Sequence, residues 1–164
     1  MEIPTRLIEL LERSKTRYEI LHHPEAFTSH ELAAIEHVKG KDRAKVVMVK
    51  SGGELLMAVL PTDHRIDLEK LAAITGQPTS VAEEADFKEL FPDCEIGTMP
   101  PFGHLYGVAT YLDRSVAEVD RLVFEAGTHS DAIRMKYADY ERLARPIVAD
   151  FAVKMNAGQP SAAG

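Results

Sequence analysis

Cysteine is nearly absent: Cys94 stands alone among 164 residues. A lone thiol excludes an internal disulfide and a cysteine-based zinc cluster. Long apolar runs are missing too, and nothing approaches the ~18 residues of a membrane span. The opening MEIPTRLIELLERSK is charged and amphipathic, unlike a signal peptide. Basic residues are the minority, 19 Lys and Arg against 26 Asp and Glu, for a net charge of −7. That balance argues against a general DNA coat or a membrane-surface binder, either of which needs an overall basic field. GxxxxGK, GxGxxG and GxSxG patterns are all absent, so a Ser/His/Asp hydrolase has no nucleophile elbow to stand on. The histidines include no HxxxH or HExxH pair, and no metal or cofactor site is expected. Cys94 follows Pro92-Asp93 without a nucleophile signature and reads as a buried or incidental thiol.

What is present is a soluble globular composition, 45% hydrophobic and 27% charged. The length fits one domain of roughly 100–200 residues. A chain of this size buries about 70% of its unfolded surface and folds without a staple. The expectation is a cytoplasmic single domain over residues 1–155, with a frayed tail at 156–164 that lacks core formers. Pro4 suits a first helical turn, and Ile3, Leu7, Leu10 and Leu11 share one helical face. Residues 18–21 read as a strand. Thr28 and Glu31 form a capping-box pattern that opens a helix through Ile35. Residues 45–50 and 54–60, joined by Ser51-Gly52-Gly53, read as a hairpin. Asp67 caps a helix that Gly76 ends, and residues 82–90 form another short one. Strands follow at 108–112, 122–126 and 131–137, then a last helix from Asp139 to the stop at Pro146. Strands and helices mix without a regular βαβ alternation. The fold class is therefore α+β, with a mixed, largely antiparallel sheet and flanking helices.

Three segments carry candidate chemistry. Residues 39–50 concentrate positive charge (Lys39, Lys41, Arg43, Lys45, Lys50) on an otherwise acidic chain. A focused basic patch suits a phosphate-rich small target or a nucleic-acid end; a solvated strand entrance is the plainer alternative. Lys45 heads an apolar strand, where a lysine holds an anionic group as a point charge or simply snorkels. Gly97-Thr98-Met99-Pro100-Pro101-Phe102-Gly103 brackets two prolines with glycines. Such a loop either aims backbone N–H groups at a developing oxyanion or serves as a rigid turn. Gly127-Thr128-His129 ends a strand with a histidine that binds substrate, shuttles a proton or is merely exposed.

Taken together, these segments resemble the YbaK/prolyl-tRNA-synthetase-associated domain family, free-standing relatives of the editing domain of bacterial prolyl-tRNA synthetases. The resemblance runs from about His23 to Pro146. It rests on His23-Pro24 with Thr28 and Glu31, then Ala44-Lys45-Val46-Val47-Met48-Val49-Lys50, Leu56-Met57-Ala58-Val59-Leu60-Pro61 and Ile66-Asp67-Leu68. Phe91-Pro92-Asp93-Cys94-Glu95-Ile96-Gly97, Pro100-Pro101-Phe102-Gly103 and Phe124-Glu125-Ala126-Gly127-Thr128-His129 complete it in the family's order. The resemblance implies an α+β domain with a partly barrel-like sheet. It also implies hydrolysis of mischarged aminoacyl-tRNA without metal or cofactor.

The family's key lysine maps to Lys45, its G-x-x-x-P loop to residues 97–101, and its later Gly-x-His to Gly127-Thr128-His129. Some members, the Cys-tRNA deacylases among them, carry Thr after that lysine, where this chain has Val46. On this reading the tRNA 3′ end enters beside Lys39, Lys41 and Arg43. Lys45 anchors the terminal phosphate or the aminoacyl group, and N–H groups near Gly97, Thr98 and Met99 face the ester carbonyl. Thr28, Met48, Pro101, Phe102, Gly127 and His129 are the expected pocket residues. Water attacks with help from the substrate's own ribose hydroxyl. The other reading is a binding module that senses an amino acid or a charged tRNA without turnover. The partner is the aminoacyl-tRNA acceptor end, with a synthetase or elongation factor as a further source of specificity; DNA and membrane are not expected partners.

Overall fold

Leu7 and Leu11, about one helical turn apart, are wholly buried and fix the first helix, α1 (Thr5–Arg13), against the sheets. Pro4 stands just before it with φ −56°, at the N-cap rather than inside the first turn. The computed structural model describes residues 1–23 and 39–156. The capping box of Thr28 and Glu31 and the helix expected after it lie outside the described residues, as do residues 157–164 of the tail.

After β1 (Tyr18–His22), the expected hairpin forms from β2 (Ala44–Ser51) and β3 (Glu54–Pro61) in unbroken antiparallel register. Gly52 and Gly53, at φ 58° and 90°, supply the pair of positive φ angles that a two-residue type I′ turn requires. Next come β4 (His64–Ile66), α2 (Leu68–Thr75) and β5 (Thr79–Val81). Asp67 accepts hydrogen bonds from the Glu69 and Lys70 N–H groups, and Gly76 ends α2 in the left-handed conformation. The helix expected over 82–90 is shorter: α3 (Glu84–Phe87) passes into a 3₁₀ turn. Then follow β6 (Ala109–Asp113), β7 (Arg121–Thr128), β8 (Asp131–Lys136), α4 (Tyr137–Ala144), β9 (Ile147–Ala149) and β10 (Ala152–Lys154).

The described strands make three sheets, ordered β1-β8-β7, β10-β4 and β5-β2-β3-β6-β9. Pairing is antiparallel except β3 with β6 and β6 with β9, which are parallel. One parallel bridge, Arg43 to Val123, joins the start of β2 to β7. The sheets meet at that corner but do not close into a barrel.

Because side chains alternate along a strand, β2 and β3 each serve two cores. Ala44, Met48, Met57 and Val59 face a main core with Leu7, Leu11, Leu112, Phe124, Ile133 and Tyr140. Val47, Val49, Leu56, Ala58 and Leu60 face a second one closed by Leu71 of α2 and by Phe151. The chain end is tied in by Asp113, whose Oδ1 accepts the Phe151 and Ala152 N–H groups at 2.9 and 2.8 Å.

Candidate active site

Two of the segments singled out in the sequence are locked together. The Glu95 carbonyl accepts both the Thr98 N–H, at 3.2 Å, and the Thr98 hydroxyl, at 2.6 Å. This closes a four-residue turn with Gly97 at φ 83°, the place where a type II turn needs a positive φ. The turn docks on β7. Glu95 N–H donates to the Gly127 carbonyl and Gly127 N–H donates to the Thr98 carbonyl, both at 2.8 Å. Gly127 can offer both groups because the β7–β8 register slips between Glu125 and Thr128. The Glu95 side chain reaches the next motif: Oε2 accepts the His129 N–H at 2.7 Å and lies 3.9 Å from His129 Nε2.

This geometry commits the Thr98 N–H to Glu95. The N–H groups of Gly97 and Met99 have no hydrogen-bond partner among the described residues. Gly97 is exposed, whereas the Thr98 and Met99 side chains are buried. Two uncommitted donors in an otherwise pinned loop are what a developing oxyanion needs, and the candidate donors narrow from three to two.

Lys45 stands on β2, on the strand face opposite Ala44 and Met48. From the Arg43–Val123 bridge the two strands run in the same direction. Lys45 lies two residues beyond the bridge and Gly127 four, about 7 and 13 Å along the strands. Lys45 is half-buried, and burial pushes its ammonium from an ordinary 10.5 down to about 8. The carboxylate of Asp63 pulls the other way and favours the charged lysine. Asp63 also lies 2.7 Å, Oδ1 to Nδ1, from His64.

Several expected site residues sit elsewhere. Arg43 is 1% exposed and lies 3.9 Å from Glu125 Oε1, so it is a buried ion-pair residue and not a surface phosphate contact. Lys39 and Lys41 are exposed as expected. Met48 is three residues from Lys45 on a regular strand, which turns it to the opposite face and into the main core. Phe102 is wholly buried in the same core, edge-on to Phe124 and Tyr140. The Pro101 carbonyl accepts the Tyr140 hydroxyl at 2.6 Å, and Pro101 is buried. Among the described residues, Met48 and Phe102 pack in the main core, and Pro101 is tied to it through Tyr140. Gly127 is structural as well as local to the site: at φ 87°, an added Cβ would run into Pro4 Cδ. Thr28 lies outside the described residues.

Cys94 is buried with its Sγ 3.3 Å from the Tyr106 hydroxyl, and burial pushes the thiol up to about 11, far from a nucleophilic thiolate. Among the described residues no group of three or more His, Cys, Asp or Glu side chains is arranged to hold a metal ion. No helix among them is long and apolar enough to cross a membrane. Sequence reasoning missed Asp63 and Glu95. The hairpin register was a usable signal for Asp63, since Thr62 N–H bonds the Arg43 carbonyl and brings the strand end back beside Lys45. The Glu95 side chain carried no local signal, because its partner His129 follows β7, 34 residues on.

The comparisons with known proteins bear on the fold and the family. The profile of the aminoacyl-tRNA editing domain matches residues 23–143. The Multifunctional Ser/Thr-tRNA deacylase ProXp-y of Escherichia coli is 32% identical over 155 residues, covering 89% of this chain and 90% of its own. Among solved structures, a protein described only as hypothetical superimposes with a TM-score of 0.81 at 19% identity, over 90% of this chain and 99% of its own. A candidate trans-editing enzyme for prolyl-tRNA synthetase superimposes with a TM-score of 0.79 at 23% identity, over 92% of this chain and 96% of its own. These two support the fold, while the profile and the curated relative identify the lineage. The chain belongs to the aminoacyl-tRNA editing domain family, whose members are hydrolases of the ester between an amino acid and its tRNA.

Proposed function

We propose that this protein clears, in trans, tRNA carrying a small hydroxyl amino acid, serine or threonine, and that the loop at 97–99 and Lys45 form its working centre. The observation that carries the reading is the loop docked on Gly127, with the Gly97 and Met99 N–H groups uncommitted among the described residues. The choice of serine and threonine is supported by the deacylase relative over nine-tenths of the chain.

An aminoacyl ester is already activated, so hydrolysis needs positioning and charge stabilisation more than a covalent nucleophile. The Lys45 ammonium holds the terminal phosphate or the aminoacyl group. Water adds to the ester carbonyl, and the oxygen that gains charge accepts from Gly97 and Met99. The C–O bond to the ribose then breaks. The water proton passes through the neighbouring ribose hydroxyl to the departing oxygen, giving free amino acid and tRNA. His129, held by Glu95 at the rim, borders the entering substrate. Lys39 and Lys41 are too few to select a tRNA by themselves, so tRNA choice falls partly to a synthetase or elongation factor that presents the charged end.

Deacylation of tRNAs charged with Ala, Ser, Thr, Cys or Pro tests the reading. Rapid hydrolysis of the Ser and Thr substrates is expected. Hydrolysis of only Ala, Cys or Pro would overturn the amino-acid assignment. No hydrolysis of any, with tight binding retained, would make the protein a sensor.

A further inference from the structure

We infer that Arg6, on α1 and ahead of the segment that the family profile matches, is a positioning residue for the 97–99 loop. The inference rests on the proposed role of that loop. The Arg6 guanidinium holds both stems of the chain segment that contains it. Nε donates to Asp93 Oδ2 at 2.7 Å, on the entering side. One terminal nitrogen donates to the Leu105 carbonyl at 2.9 Å, on the leaving side. The same group lies 4.4 Å over the Tyr106 ring, whose hydroxyl meets Cys94 Sγ from inside. Arg6 therefore closes a ring around the base of the loop from outside, while Cys94 and Tyr106 close it from within.

Only a planar fork can do this. Lysine would keep the ion pair with Asp93 but lacks the second fixed donor for Leu105 and stacks poorly on an aromatic face. The rest of α1 supports the same contact. Pro4, two residues before Arg6, packs where Gly127 has no side chain, so the start of the helix abuts the β7 residue on which the turn docks. The matched family segment begins only at His23. The helix before it thus contributes to the site, through the placement of the Gly97 and Met99 donors and without touching substrate. Small displacements of such donors are costly to rate, up to about 100-fold for roughly 1 Å.

The test uses the full chain and seryl-tRNA. Arg6→Ala is expected to lower kcat about 10- to 100-fold with KM nearly unchanged, and Arg6→Lys to recover part of the loss. Arg114→Ala, which breaks an exposed pair with Asp150 elsewhere on the surface, should leave both constants alone. Amide exchange supplies a readout independent of turnover. In Arg6→Ala the Thr98 and Gly127 N–H groups should exchange faster, while β2 and β3 amides keep their protection. Unchanged kcat together with unchanged exchange at Thr98 and Gly127 would overturn the inference. So would uniform loss of protection across β2 and β3 in both Arg6 variants, which would mark a purely global role. If wild-type protein hydrolyses nothing, the proposed function fails, and exchange alone decides whether Arg6 positions the loop.

Discussion

At the scale of single residues, Lys45 couples burial to chemistry. Burial brings its ammonium down to about 8, so the folded protein loses this charge within the range of ordinary assays. If the charged form anchors substrate, kcat/KM should fall as pH rises through about 8, after correction for spontaneous ester hydrolysis. In Lys45→Arg the remaining activity should show no such limb, because guanidinium stays charged. A rate that rises through the same pH would make the neutral lysine a base instead. The stability consequence has the opposite sign. Between about pH 8 and 10.5 the unfolded chain keeps a proton that the folded one has released, so stability from this group increases with pH across that window. Denaturant titrations at pH 7.5 and 10 should detect the increase in wild type and a smaller one in Lys45→Met. Gly127 is the second informative residue. Gly127→Ala must hold a left-handed φ and displace Pro4, a cost of at least about 1–3 kcal/mol. A Tm drop of several degrees is expected; an unchanged melt would show that α1 yields freely.

At the scale of elements, β2 explains which expectations held. Its apolar run and the Gly-Gly turn are local, contiguous signals, so the hairpin was legible. Lys45 and the 97–101 motif stood out as candidates for the same reason. The face on which each side chain sits was not worked out from the run, although alternation sets it. Lys45 and Met48 are neighbours in sequence and lie on opposite sides of the sheet. Met48→Ala should therefore cost about 2–5 kcal/mol of stability and leave KM for seryl-tRNA nearly unchanged. A large KM effect without destabilisation would return Met48 to the pocket. The strands β4, β5, β9 and β10 were not legible. Each has three residues, too short to show a period. They exist because distant groups hold them, as when Asp67 N–H bonds the Phe151 carbonyl and Arg114 N–H bonds that of Ala149.

At the scale of the whole molecule, an acidic protein acts on a polyanion. The basic run at 39–50 looked like a continuous patch in sequence. In three dimensions Arg43 is buried against Glu125 and Lys50 pairs with Asp86 at 3.0 Å, leaving Lys39 and Lys41 at the surface and Lys45 within. Net charge could not reveal this, since the partners of Arg43 and Lys50 come from other elements. Contact with about two or three phosphates of a single-stranded end predicts a log-log salt slope near −1.4 to −2 for tRNA binding. A slope several times steeper would mean that the protein grips the body of the tRNA. In the proposed mechanism a half-buried lysine and a pinned backbone loop suffice for ester hydrolysis. Its most direct test is single-turnover hydrolysis of seryl-tRNA by wild type and by Lys45→Ala, each checked for an intact melt. The variant should lose at least about 100-fold in rate, with Tm kept because removing a buried charge relieves a desolvation cost. A Lys45→Ala protein that hydrolyses seryl-tRNA at the wild-type rate would contradict the mechanism.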